Sequence, residues 1–237
     1  MGACLLLAPA GCVDQINLGG AAADLHTAAT LDDAELKEMC VQMRKKGDAE
    51  ARVASANSKY AIRLKKIMGK HTSVNGTPLN YKVYITDDIN ANASADGSVR
   101  VYSGLMDMMT DDELRFVLGH EIGHVALGHT LKAMRLAYTA AAARQAAGSL
   151  NSTANALSDS MLGDLMEEFL NAQFSQSQEL DADAYAMNFL KENNYNTAAA
   201  ASSLRKLESL GSSGGFLSSH PNSGKRAEKM EELAKQK

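Results

Sequence analysis

A chain of 237 residues, 45% hydrophobic and 22% charged, has an ordinary soluble globular composition and is long enough for one sizeable core. A net charge of −4 with no long basic cluster removes the electrostatic footprint of a nucleic-acid binder, so no nucleic-acid partner is expected.

Met1 to Cys12, MGACLLLAPAGC, is a short apolar run ending in small residues and a cysteine. It resembles the tail of a bacterial lipoprotein signal, whose cleavage exposes the cysteine for lipidation. It departs from such signals in having no Lys or Arg ahead of the apolar run and in carrying Pro9 where Leu is usual. The run is too short to span a bilayer as a helix, so the expected membrane link is a lipid anchor at Cys12. The remaining cysteines, Cys4 and Cys40, do not have zinc-ligand spacing, and no disulfide is expected within the mature chain. Asp14 to Ala29 is small and polar and reads as a tether. Residues 1–30 are thus a signal-like segment and tether, and residues 31–237 one folded domain.

Leu31 to Leu64 mixes Ala, Glu and Lys with apolar residues at helical spacing, which predicts one or two helices. Gly69 to Pro78 breaks the pattern. Tyr81 to Ile85 alternates like a half-buried strand, as does Ser98 to Ser103, and Asn90 to Gly97 between them suits an irregular or edge strand. Thr110 and Glu113 then form a capping box, followed by Leu114, Val117, Leu118, Ile122, Val125 and Ala126 at helical spacing. Within that helix lies His120-Glu121-Ile122-Gly123-His124, an HExxH motif. Residues four apart on a helix project from nearly one direction, about 40° apart, so the two imidazoles can share one metal ion. Glu121 beside them is placed to take a proton from a metal-activated water.

Leu131 to Ser160, rich in Ala, Ser, Asn and Gly, predicts a helical extension and a loop, its apolar run too interrupted for a membrane hairpin. From Met161 a helix runs toward Phe174, and a helical pattern continues to Leu190, ended by Asn193-Asn194.

A hydrolytic zinc site uses three protein ligands and keeps one position open. Downstream candidates are His129, Glu179, Asp181, Asp183 and His220. On a continuous helix His129 would point about 180° away from His120 and could not reach the same ion without a break. Glu179 and Asp183 are an i, i+4 pair, so one helix could bring Glu179 to the metal while Asp183 accepts a hydrogen bond from the outer nitrogen of a ligating histidine. Alone, the same pair would read as a solvated acidic stripe.

HEIGHVALGH followed by QELDADAYA resembles the zinc metalloprotease family that includes HtpX and the CAAX prenyl proteases, in its soluble branch, over roughly Ala56 to the C-terminus. The resemblance implies an α+β, gluzincin-like fold, mostly helical, with a small β-sheet beside the HExxH helix. It implies one Zn2+ per chain held by His120, His124 and Glu179, with Glu121 as base and Asp183 behind a histidine ligand. His220-Pro221, with Arg226 beyond, matches a family His-Pro near the C-terminus. His220 would then stabilise the oxyanion or reach the zinc in a closed state; capping the last helix is the plainer alternative. The family's edge segment reads Asn-Ala-aromatic-Ala, whereas this chain has Asn90-Ala91-Asn92-Ala93, so its substrate-binding pocket differs in shape. The expected activity is zinc-dependent endoproteolysis of unfolded or misassembled envelope proteins. The expected setting is the periplasmic side of the bacterial cell envelope, anchored by lipid to the outer membrane. The competing expectation is a chaperone-like envelope protein that keeps the zinc site but rarely cleaves.

Overall fold

The computed structural model describes residues 31–148, 159–211, 215–221 and 223–235. The signal-like segment and tether, with Cys4 and Cys12, and most of the loop expected before Ser160 lie outside the described residues. Leu31–Leu64 resolves into two helices. Helix α1 (Asp33–Glu50) opens on a capping box in which Asp32 accepts from the Glu35 N–H and Glu35 accepts from the Asp32 N–H. Helix α2 (Lys59–Met68) is capped by Ser58. The stretch read as a break then folds as a small hairpin, β1 (Ser73–Val74) and β2 (Thr77–Pro78). Its turn is Asn75-Gly76, with φ of 47° and 77°, the positive pair that a tight hairpin turn requires.

The main sheet contains β3 (Asn80–Tyr84), β4 (Ala91–Ala93) and β5 (Ser98–Tyr102) in the order β3-β5-β4. β3 runs parallel to β5 with Val83 opposite Val101, and β4 runs antiparallel to it with Ala93 opposite Val99. β4 is therefore an edge strand, within the small and polar stretch Asn90 to Gly97 read as irregular or edge. One sheet face is bound to α1 by a partly buried ionic cluster. Arg100 Nε donates to Asp48 Oδ1 at 2.7 Å, and Lys82 and Tyr84 donate to the same carboxylate at 2.6 and 2.7 Å.

The rest is helical: α3 (Ser103–Met108), α4 (Asp111–Ala126), α5 (His129–Gly148), α6 (Asp159–Asn171), α7 (Gln176–Glu192), α8 (Ala198–Glu208), α9 (Phe216–Ser219) and α10 (Ser223–Lys235). The helical pattern expected to continue from Met161 to Leu190 is interrupted, because Ser175 starts α7 afresh with a capping box to Gln178. Helix α4 serves two cores. Leu114, Val117, Leu118 and Ile122 pack with the sheet residues Val83, Val99 and Val101, while Phe116 points the other way into a core with Met187, Leu190, Leu204 and Met230. A helix buried on both faces needs no polar stripe, and burying a side chain such as Phe116 is worth about 1.5–3 kcal/mol. A third core joins α1, α5 and α6 through Leu36, Cys40, Met43, Met134 and Leu165; Cys40 there is a free buried thiol. No helix among the described residues is long and apolar enough to cross a membrane.

Candidate active site

His120 and His124 come from α4, Glu179 from the first turn of α7 and His220 from the residue after α9. Their ligand atoms all lie within 4.8 Å of one another, and all four side chains are buried. Two glycines make this convergence possible. A Cβ on Gly119 would stand 3.1 Å from Phe189 Cδ1, and one on Gly123 would stand 3.2 Å from the Ala182 carbonyl oxygen. Bare backbone at these two positions of α4 lets α7 come close enough for Glu179 to reach the histidines.

The distances suit a metal. His120 Nε2 and His124 Nε2 are 3.0 Å apart, and Glu179 Oε1 is 3.3 Å from His124 Nε2. Ligands held tetrahedrally about 2.0–2.1 Å from zinc are about 3.3 Å from each other. Two imidazole nitrogens facing each other at that distance, beside a carboxylate, form a donor set that a cation between them would satisfy. His220 adds a fourth donor, with Nδ1 2.9 Å from Glu179 Oε1 and 3.2 Å from His120 Nε2. Its ring is stacked between Phe216 and Phe174, at centroid distances of 4.3 and 5.4 Å, and points into the site.

Behind the histidines lies a layer of hydrogen-bond partners. Asp183 Oδ1 is 2.9 Å from His120 Nδ1. Arg226 of α10 donates to both oxygens of Asp183 at 2.7 Å and forms an ion pair with Glu179. Neither Arg226's pairing nor the contact between His129 Nδ1 and His124 Nδ1, at 3.0 Å, followed from sequence spacing. The Arg226 contact spans 43 residues, and the His129 contact needs a helix break at Leu127 and Gly128.

The electrostatics are divided within a few ångströms. Burial pushes the Glu121 carboxyl above its ordinary range, although His220 and His120 pull it back and the Ala93 backbone hydrogen-bonds to it. Burial also presses on Glu179 and Asp183, but there the neighbours win. His220, His124 and His120 hold Glu179 well below the usual carboxylate range, and Arg226 and His120 hold Asp183 below it. Burial drives His124 well below an ordinary imidazole, which keeps it neutral and able to ligate. Glu121 Oε1 lies 3.4 Å from His220 Nε2 and has no hydrogen-bond partner among the described residues.

The model of peptidase family M48 matches residues 57–234, a span that includes every residue of this cluster. The chain belongs to peptidase family M48. It is 44% identical to the metalloprotease LoiP of Escherichia coli (strain K12), over 92% of this chain and 88% of that protein. It is 46% identical to the metalloprotease YcaL of the same organism, over 86% of this chain and 81% of that protein. A more distant relative is the mitochondrial metalloendopeptidase OMA1 of Bos taurus, 29% identical over 67% of this chain and 33% of that protein. This M48 peptidase is a metalloendopeptidase, and its buried His and Glu cluster is compatible with a zinc site.

One wall of the M48 cleft is the edge strand. Asn90, Asn92 and Ala93 face Glu121, His220 and the aromatic rings of Phe169 and Phe174 across a narrow groove. The Asn90 carbonyl accepts from the Tyr102 N–H, and the Ser94 N–H donates to the Ser98 carbonyl, so the even-numbered residues of β4 turn their backbone groups toward β5. Ala91 and Ala93 consequently turn theirs to the free edge. The Asn90 side chain accepts from the Ala91 N–H at 2.9 Å. The side-chain amide of Asn92 is buried in this wall.

Proposed function

We propose that this peptidase hydrolyses peptide bonds in unfolded or misassembled envelope proteins, using a zinc ion held by His120, His124 and Glu179. The observation that carries the reading is the convergence of those three donors beside Glu121, whose Oε1 has no hydrogen-bond partner among the described residues. When bound, zinc supplies a Lewis acid that makes water acidic and polarises a carbonyl. Glu121 accepts the proton of the attacking water and passes it to the leaving amine; its raised proton affinity suits both transfers. Asp183 orients His120, and Arg226 neutralises the Asp183 and Glu179 carboxylates.

The substrate adds as an extended strand along β4, pairing with the outward backbone groups of Ala91 and Ala93 once the Asn90 side chain releases the Ala91 N–H and Glu121 releases the Ala93 backbone. Backbone pairing reads little sequence and demands an extended partner, which favours unfolded chains. His220 stabilises the developing oxyanion. A second reading is favoured by its place as fourth donor at 2.9–3.2 Å from Glu179 and His120: a resting state in which His220 holds the metal and substrate displaces it. The envelope setting rests on residues 1–12, whose apolar run ends at Cys12; membrane fractionation of a Cys12→Ser precursor tests the lipid anchor.

Glu121→Gln decides the chemistry. It should keep zinc at one per chain and lose casein digestion, because it removes the base and leaves the donors. The parent should lose digestion on adding a chelator and recover it with zinc. Undiminished turnover by the variant would sink the assignment of Glu121, and a parent that binds clients but never cleaves would favour the chaperone-like alternative.

A further inference from the structure

Helices α4 and α5 are separated at Leu127 and Gly128, where Gly128 adopts a φ of 74° that favours glycine. The break reverses the direction His129 would take on an unbroken helix and returns it to the motif. His129 Nδ1 comes within 3.0 Å of His124 Nδ1, with the ring centroids 5.1 Å apart. The opposite nitrogen, His124 Nε2, faces the site centre, 3.0 Å from His120 Nε2 and 3.3 Å from Glu179 Oε1.

That orientation fixes the proton inventory of both rings. A neutral imidazole carries one N–H and one lone pair, so a His124 that offers Nε2 to a metal must hold its proton on Nδ1. The proton on Nδ1 needs an acceptor, and among the described residues the hydrogen-bond partner of that atom is His129. His129 must then present a bare Nδ1 and keep its own proton on Nε2. The arrangement repeats what Asp183 does for His120 from the other side, where Asp183 Oδ1 is 2.9 Å from the outer nitrogen. Phe174, stacked on His124 at 3.8 Å and 23°, limits ring tilt, so tautomer and orientation are set from different directions.

We infer that His129 is a positioning residue: it accepts the Nδ1–H of His124 and so commits the Nε2 lone pair of that ring to the metal. The inference rests on the proposed ligand role of His124. His129→Ala removes the acceptor and should weaken zinc binding by about 10- to 100-fold, the range for partners behind a metal ligand. His129→Asn restores an accepting oxygen at the same helix start and should recover most of that loss.

The test uses the full chain. Zinc affinity is measured by chelator competition for the parent, His129→Ala, His129→Asn and His124→Ala, with melting of each zinc-free protein as the control for folding. Nitrogen NMR of the His124 ring reports the tautomer directly, and the expected result is a proton on Nδ1 in the parent and in His129→Asn, with mixed tautomers in His129→Ala. If His124→Ala loses zinc while His129→Ala binds like the parent, or if His129→Asn is as weak as His129→Ala, the positioning role is wrong. If His124→Ala itself keeps parental affinity, the ligand assignment beneath it has failed instead.

Discussion

Gly123→Ala isolates what close helix approach contributes to this peptidase. The added methyl carbon would sit 3.1 Å from two atoms of Tyr185 and 3.2 Å from the Ala182 carbonyl, where ordinary contact begins at 3.4 Å. Relief requires α7 to retreat by a few tenths of an ångström, and Ala182 is three residues from Glu179 on that helix. Overpacking of this kind costs about 1–3 kcal/mol, offset by about 1 kcal/mol from replacing glycine with alanine inside a helix. The net loss of stability is small, about 0–2 kcal/mol. A metal site, however, tolerates only about 0.2 Å in its bond lengths, so the same displacement falls heavily on Glu179. We expect zinc affinity and kcat/KM to fall about threefold to fourfold, scaling from the roughly hundredfold cost of a 1 Å misplacement to a shift of about 0.2–0.3 Å. Chelator competition, steady-state kinetics and melting of the zinc-free protein separate the two effects. A variant that melts several degrees lower yet keeps parental zinc affinity and kcat/KM would show that the glycine serves packing alone.

Glu179→Ala should lose zinc and activity together, whereas Asp183→Asn should keep the ligands and weaken zinc binding by about 10- to 100-fold; metal analysis after dialysis ranks them, and the reverse order would misplace the ligand on α7. His220→Phe should lower kcat by about 10²- to 10³-fold with little change in KM, and a level or raised kcat would instead support the resting-state ligand. Burial pushes the Asp48 carboxyl up, but hydrogen bonds from Arg100, Lys82 and Tyr84 overcome it and leave the pKa lowered to about 2. A lowered folded-state pKa stabilises the fold above the ordinary carboxylate pKa and stops doing so as pH falls through 2. The gap in urea midpoint between parent and Asp48→Asn should therefore be full at pH 5 and shrink toward pH 2; a gap constant over that range would refute the coupling.

The parts of the site within one helix were legible because helical geometry fixes them: the Thr110–Glu113 capping box, the projection of His120 and His124, and the Glu179–Asp183 pair. The sheet was legible in its strands and not in its order, since the parallel pairing of β3 with β5 depends on how residues 85–97 loop back through β4. The hairpin at Asn75-Gly76 carried a readable turn signal, but its strands are two residues each and show no alternation. His129 escaped because its role depends on a helix break at one glycine, and Arg226 because it meets Asp183 only through packing of α10 on α7 and α8. Ser175, by contrast, carried a legible start signal inside the stretch read as continuously helical.

Arg226 is separated from His120 by 106 residues of chain, yet its guanidinium lies 3.3 Å from that histidine and clasps Glu179 and Asp183 of α7. During synthesis the motif on α4 emerges long before this guanidinium exists. Until then Asp183 would be buried with only His120 as a partner, and a buried carboxylate without its guanidinium is costly. Docking of the last helix and the charge balance behind His120 are therefore one event in folding.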